Sequence, residues 1–467
     1  MNLNWTKTER RLRWRGAGLL LALLLFAGCK GVSTSGERTA RHDLKTVMDS
    51  YRPDNHKPEL PTLSPDAGLS NYLAYALLNS ADVAAAYYDW AASVERITIE
   101  RSLPDPQLTF QAYIQNVITS LMPGFAWNFP GPGKLNARAA VATAESRSKY
   151  FTFESAVLQS AMNFKRAYYE LHSLDEQLRI NRQNLALLND LERSARAQNE
   201  VGKGTLQDVL RAQIERDRIS NDITNLVDSR RPKLAAFKAA LGLAYDQPDP
   251  PVPTHLQVDE VNPDTDEILR IAFTRNPKLK AMEADVRATE AGIALAYKEK
   301  IPDFNVALMA DVKASPVLYW PQLGMTVPIW RDKLAAEVAA ARADDLAARA
   351  RLSSGQIALT VEFAEKTFAC REINRNLALL QNQLIPKTRL SLEIARAAYL
   401  AGTIDFFNLM NTEQTLLAFE MSEVEARTQR EITLAELSLL IAGVPPPGAP
   451  VLTPSNQNSK SVSSSTH

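Results

Sequence analysis

A chain of 467 residues and 51.7 kDa with 45% apolar residues can bury a large core. Its 53 basic and 53 acidic residues balance, so no charge excess points to nucleic acid. Two cysteines (Cys29 and Cys370), five scattered histidines and only 18 glycines exclude a disulfide scaffold and a multi-cysteine zinc site, and favour long helices.

The first element is an address. Lys7, Arg10, Arg11, Arg13 and Arg15 form a basic leader, followed by an uninterrupted apolar run from Leu19 to Ala27. A spanning helix needs roughly 20 apolar residues, so this run reads as a secretory signal over residues 1–28. Phe26-Ala27-Gly28-Cys29 resembles the bacterial lipoprotein cleavage box, with Phe26 where leucine is usual. The resemblance implies that Cys29 becomes the lipidated first residue. Lys30 stands where an aspartate would mark inner-membrane retention. Removing the signal takes away five basic residues and one acidic, leaving 48 against 52. Residues 29–65 are polar and read as an extended, lipid-anchored linker.

The body reads as one unit written twice, over 66–243 and 264–443, with a Pro- and Asp-rich connector at 244–263. Leu103-Pro104-Asp105 recurs 198 residues later as Ile301-Pro302-Asp303, and Lys134-Leu135 recurs 199 later as Lys333-Leu334. Ala195-Arg196-Ala197 with Gly202 recurs 200 later, and Leu241-Gly242 recurs 201 later in Ala442-Gly443. Each copy predicts a helix of about 35 residues (68–102 and 265–300) stopped by proline. Two alternating segments follow, then a very long helix, a glycine turn and a last helix. Residues 444–467 open with three prolines, end rich in serine and read as a disordered tail.

The alternating segments have a period of two. Leu108, Phe110, Ala112 and Ile114 oppose Gln107, Thr109, Gln111 and Tyr113. Phe125, Trp127 and Phe129 oppose Ala126 and Asn128. In the second copy, Phe304, Val306, Leu308, Ala310 and Val312 (303–314) oppose Asp303, Asn305, Asp311 and Lys313. Leu323, Met325, Val327 and Ile329 oppose Gln322, Gly324 and Thr326. A soluble half-buried sheet alternates in the same way. The signal sequence and the long helices turn the reading towards a membrane barrel, apolar outside and polar inside, with Trp127, Phe129, Tyr319, Trp320 and Trp330 near the interfaces. Four strands cannot close a pore, and open edges in lipid leave backbone groups unsatisfied, so oligomerisation is expected. A trimer would supply twelve strands; the residues themselves leave trimer and tetramer open.

Lys134 to Val201 contains neither Gly nor Pro, and at 1.5 Å per residue it would reach about 100 Å. Val157, Phe164, Leu171, Leu178 and Leu185 recur every seven residues, with Ala161 and Tyr168 between, as a coiled-coil seam. Phe363, Cys370, Leu377 and Leu384 repeat it, which makes Cys370 a small apolar seam residue. Gly355 and Pro386 are the expected interruptions of the second rod. Carboxylates sit at helical charge-pairing spacing. The sequence has no nucleophile motif, phosphate loop or metal-ligand cluster, so neither catalysis nor a cofactor is expected.

In this order and spacing, the doubled helix–strand–strand–long helix–turn–helix pattern resembles the TolC-like outer-membrane efflux protein family. Asn276-Pro277, the Leu/Ile-Pro-Asp before each strand pair, Val201-Gly202 and Tyr399-Leu400-Ala401-Gly402 carry the likeness, which covers about 66–443. It implies a mainly α fold with a twelve-stranded trimeric β-barrel in the outer membrane and a helical tunnel through the periplasm. It implies a lumen lined by the strand positions Gln107, Thr109, Gln111, Asn305, Asp311, Gln322 and Thr326. The turns at Gly202 and Gly402 would be periplasmic tips that meet an adaptor protein and, through it, an inner-membrane pump, RND type favoured. Tyr399 and Asp208 match tip-closing positions of the family. Asn408 and Asn411 stand where the family often carries acidic residues, and Asp405 lies nearby. The expected role is a passive duct for efflux of small molecules. Alternatives are a type I secretion duct and a periplasmic adaptor.

Overall fold

The computed structural model describes residues 32–114, 118–253, 265–441 and 450–452. The signal sequence, Cys29, positions 254–263 of the connector and most of 444–467 lie outside the described residues. In chain order the elements are α1 (Ser35–Tyr51), α2 (Leu69–Asn79), α3 (Ala81–Arg101), β1 (Gln107–Ile114), β2 (Ile118–Phe129), α4 (Lys134–Glu200), α5 (Leu206–Ala240), α6 (Thr265–Arg275), α7 (Pro277–Lys298), β3 (Asp303–Asp311), β4 (Leu318–Thr326), α8 (Arg331–Leu379), α9 (Ile385–Leu400) and α10 (Phe406–Ile441). A π turn, Leu380–Leu384, joins α8 to α9 just ahead of Pro386. Two helical hairpins, α4/α5 and α8–α9/α10, thus extend from one four-stranded antiparallel sheet of order β1-β2-β3-β4.

The first long helix spans 67 residues, about 100 Å. Its buried stripe follows Val157, Phe164, Leu171 and Leu178. It then shifts by three residues to Asn181, Asn184, Leu188, Leu191 and Ala195, leaving Leu185 half-buried. The helix must drift relative to a strict seven-residue repeat, so one seam does not serve the whole rod. In the second rod, Phe363 and Cys370 are buried against Leu434 and Leu437, while Leu377 and Leu384 are half-buried. Gly355 does not interrupt α8. An added Cβ there would stand 2.6 Å from Met282 Sδ, so the glycine admits α7 to close contact.

Each expected 35-residue helix is two helices. Ser80 caps α3, accepting from Val83 N at 3.3 Å, and Asn276 caps α7, accepting from Lys278 N at 3.0 Å and Leu279 N at 3.2 Å. The two breaks share a lock. Asn79 Nδ2 donates to Leu241 O at 2.6 Å, and Asn276 Nδ2 donates to Leu440 O at 2.9 Å. In each copy an asparagine therefore satisfies a carbonyl at the end of the returning helix. Beside the first lock Gly242 turns the chain at φ 69°, where an added Cβ would meet Asn79 O at 2.6 Å.

The strands also differ in extent from the alternation. The β3 strand stops at Asp311, β4 stops at Thr326 ahead of Val327 and Ile329, and β2 starts as early as Ile118. Within the expected tail, Leu452 is buried, and its amide donates to Tyr150 Oη at 3.1 Å.

The largest correction concerns residues 29–65, where a 17-residue helix replaces much of the extended linker. Thr34 caps α1 by accepting from Glu37 N at 3.1 Å. Val47 and Tyr51 enter an aromatic core in which Tyr51 meets Tyr87 edge-on at 5.3 Å and Trp90 stacks on Phe153 at 5.8 Å. At the other end of α1, Glu37 is 1% exposed. Arg101 pairs with it, Thr98 Oγ1 donates to it at 2.6 Å, and Arg41 Nε donates at 3.2 Å. Burial alone would raise this carboxyl. The bonds from Arg101, Thr98 and Arg41, with the Arg101 charge, outweigh it and hold the pKa at about 2. Thr34 and Glu37 have capping-box spacing, but what docks the helix is the burial of Glu37 against Thr98 and Arg101, about 60 residues away.

A depressed carboxyl stabilises above its free value near 4.5, and that contribution is lost as pH falls towards 2. Glu37→Ala strands Arg101 without its carboxylate and should cost about 3 kcal/mol, the scale of a broken buried pair. Limited proteolysis should then cut residues 35–51 sooner than in the wild type at pH 7, and the two proteins should converge as the pH approaches 2.

Candidate functional site: the sheet face and the hairpin tips

Register sorts the sheet into two faces. On one, Leu108 pairs with Phe125, Phe125 with Leu308 and Leu308 with Pro321; Trp127 pairs with Val306, and Val306 with Leu323. This face is apolar and open, with Phe110 at 69% and Leu323 at 84% exposure. On the other face, Gln107, Ala126, Ala307 and Gln322 form one row, and Thr109, Gly124, Met309 and Trp320 form the next. All seven strand positions expected to line a lumen, namely Gln107, Thr109, Gln111, Asn305, Asp311, Gln322 and Thr326, fall on this second face. Asn128 and Asp303 share it, as the alternation placed them, and so does Ser120, which lies ahead of the alternating segment at 125–129.

The acids of this face are engaged. Asp311 accepts from Ser120 Oγ at 2.6 Å and from Lys313 N at 3.0 Å. Asp303 accepts from Gly131 N at 2.7 Å and pairs with Lys134 Nζ at 2.9 Å. The amides between them therefore dominate its hydrogen-bonding character. Among the described residues no helix is long and apolar enough to cross a membrane.

The two hairpin tips are built alike. After Val201, Gly202 takes φ 71°, and Lys203 N donates to Gln198 O at 2.8 Å. Gly402 takes φ 76°, and Thr403 N donates to Ala398 O at 2.9 Å. An added Cβ would meet nothing within 4 Å at either glycine, so what they supply is the left-handed backbone. Thr205 and Asp208 then form a reciprocal capping box on α5, at 3.2 and 3.0 Å. Asp405 accepts from Asn408 N at 2.9 Å at the start of α10.

Tyr399 and Asp208, the two residues matched to tip-closing positions, are not hydrogen-bonded to each other within one chain. Asp208 is bonded to Thr205 N, while the Tyr399 ring packs on Phe406 at 5.2 Å, and its buried hydroxyl has no hydrogen-bond partner among the described residues. Burial and the nearby Asp208 charge push the Tyr399 hydroxyl up. Asn408 and Asn411 are exposed. Asn411 lines a groove of 470 Å³ between α5 and α10, where the Arg211 guanidinium lies 4.8 Å over the Phe407 ring.

Deeper between the hairpins lies a group that sequence inspection passed over. Glu413 on α10 is 2% exposed, and neither carboxyl oxygen has a hydrogen-bond partner of normal geometry among the described residues. From α5 it faces the Glu215 carboxylate and Arg218, which Glu215 already holds at 3.1 Å. From α4 it faces Asn184. On the α9 side Leu392 is buried and Arg389 is bound to Glu420 at 2.7 Å. Burial, the largest influence, pushes the Glu413 carboxyl up to about 7; Asn184 pulls against it, and the weaker Glu215 charge raises it further against the Arg218 charge. Nothing in the local sequence marks it, because a glutamate on a helix is ordinarily solvated.

A raised carboxyl stabilises the packed form fully below about 4.5, and that contribution is lost as pH climbs to about 7. Glu413→Gln keeps the shape and removes the titration. Its stability should match the wild type near pH 4.5, rise above it through pH 7 and then hold a constant lead of about 3 kcal/mol, read as a higher melting temperature. A lead that does not change with pH would contradict the assignment.

The fold has many solved counterparts. The CusC structure matches with TM-score 0.71 and 16% identity, covering 84% of this chain and 99% of that one. A membrane protein from Pseudomonas aeruginosa matches with TM-score 0.71 and 18% identity, covering 84% and 100%. The open-state MtrE outer membrane channel of Neisseria gonorrhoeae matches with TM-score 0.68 and 14% identity, covering 86% and 99%. Among curated proteins none matches the chain. The outer membrane efflux protein family matches over residues 73–243 and 268–443, well over half of the sequence. The chain therefore belongs to the outer membrane efflux protein family and is an outer-membrane efflux channel component.

Proposed function

We propose that three copies of the chain form a passive duct that carries small molecules out of the cell, driven by an inner-membrane pump through a periplasmic adaptor. One observation carries the reading. A four-stranded sheet with an open apolar face and two free edges sits at the end of helices about 100 Å long. Such a sheet satisfies its backbone in lipid only when copies close it, and three copies give twelve strands. The polar face then lines the pore. With its acids engaged, that section discriminates little by charge. Exposed apolar side chains on the rods, such as Ile214 and Ile394, fit helix contacts between copies.

Lipidation of Cys29 is supported by where α1 begins. Glu37 meets Arg101 at the end of α3 closest to β1, so the start of α1 lies at the sheet end of the molecule. Thr34 is five steps along the chain from Cys29, a reach of at most roughly 17 Å. An acyl anchor on Cys29 thus falls near the same membrane. The tips at Gly202 and Gly402, at the far end, are the surfaces for the adaptor. Asp208 and Tyr399 act there as closing groups, and Asp405 takes the place of the acidic pair replaced by Asn408 and Asn411.

Three measurements test this reading. Outer-membrane fractionation and native mass spectrometry should find a trimer, and a monomer that stays dispersed without detergent ends the proposal. Cys29→Ser should yield a mature N-terminus without acyl mass while the protein still reaches the outer membrane. Asp208→Ala, which frees the start of α5, should raise single-channel conductance several-fold; unchanged conductance removes Asp208 from gating.

A further inference from the structure

The sheet shows how one copy meets the next. In the first hairpin Gln107 faces Ala126 and Leu108 faces Phe125. Moving each residue on by 198 gives Asn305 facing Gly324 and Val306 facing Leu323, which is the register of the second hairpin. The two hairpins are therefore structural copies at one fixed offset, although the sequence repeat drifts from 198 to 201 along the chain. Between them β2 pairs with β3, placing Phe125 opposite Leu308 and Gly124 opposite Met309. By the same offset β4 is the copy of β2 and β1 is the copy of β3. These are the two strands left with free edges.

We propose that β4 of one protomer pairs with β1 of the next in the register that β2 and β3 already use, and that Lys333 forms an ion pair with the partner's Asp105. Leu323 then lies opposite the partner's Phe110, and Gln322 opposite the partner's Gln111. Parity agrees. Leu323 and Phe110 both belong to the apolar face, and Gln322 and Gln111 both belong to the polar face. A slip of one residue would turn one strand's whole apolar set to the wrong side.

The ion pair follows from the same correspondence. The β2–β3 junction is clamped by Lys134, 2% exposed, whose Nζ lies 2.9 Å from Asp303 and 3.0 Å from Glu299. Asp105 is the copy of Asp303, and the sequence repeat matches Lys333, the third residue of α8, to Lys134, the first residue of α4. In the single chain the Lys333 side chain is 71% exposed and reaches Glu337 at 3.6 Å, and Asp105 is exposed. Arg101 occupies the place of Glu299 and is bound to Glu37, so the second clamp has one carboxylate where the first has two.

This inference rests on the reading that copies of the chain close the sheet, and the test separates the two. Full-length protein carrying Gln322→Cys with Gln111→Cys, or Leu323→Cys with Phe110→Cys, is oxidised in outer membranes and run without reductant. A two-residue slip keeps the faces, so Gln322→Cys with Thr109→Cys is the control. The matched pairs should give interchain products that the control lacks, identified by peptide mass. Links in the control but not in the matched pairs overturn the register while the assembly stands. No links in a protein that is oligomeric by native mass spectrometry overturn it too, and a monomer overturns both readings. Lys333→Asp and Asp105→Lys should each lower the temperature at which the oligomer dissociates, and the double variant should restore it. Failure of the restoration removes the ion pair.

Discussion

Backbone hydrogen bonding at the edges of the sheet is the constraint on which the rest of the architecture depends. Four antiparallel strands satisfy their inner neighbours and leave the outer sides of β1 and β4 without partners. Water meets such groups in a soluble protein, whereas hydrocarbon does not, at a cost of several kcal/mol for each. The apolar face is open along its length, so the sheet cannot be covered by its own chain without hiding that face too. A second copy of the chain resolves both problems, because it adds strands at the edges and leaves the apolar face outward.

The helical body holds this sheet in place through contacts that are mostly non-local. The aromatic group of Tyr51, Tyr87, Trp90, Tyr150 and Phe153 joins α1, α3 and α4 beneath the strands. The buried Lys134 ties the start of α4 to the entry of β3, and Asn79 and Asn276 fasten each returning helix to a break in an earlier one. These bonds are strong where they are charge-assisted and shielded from water. They fix where the rods leave the sheet, and a rod about 100 Å long magnifies any error at its base.

At the far end the design is softer. The tips are glycine turns with short capping boxes, and the groups between the hairpins include an unbonded tyrosine hydroxyl and an unpaired buried carboxyl. Buried polar groups without partners weaken packing. Tyr399 and Glu413 lie where the two hairpins meet towards their tips, the region that must separate for a duct to widen.

Period and punctuation were legible in the residues. Alternation in Gln107–Ile114 gave both a strand and its faces, the run without Gly or Pro from Lys134 gave the rod, and the glycines gave the turns, because each signal lies within a few residues of its effect. The residues read as single helices over 68–102 and 265–300, although Asn276-Pro277 carries a local signal of a break, since proline restricts the residue before it; the matching break at Ser80 has no such signal. Only the tertiary structure decided that residues 35–51 dock as a helix, that Gly355 admits Met282 rather than bending α8, and that Glu413 is buried beside Glu215. Each of these depends on a side chain from a distant part of the chain, or on a neighbouring helix that removes water, and a sequence read by local spacing contains neither.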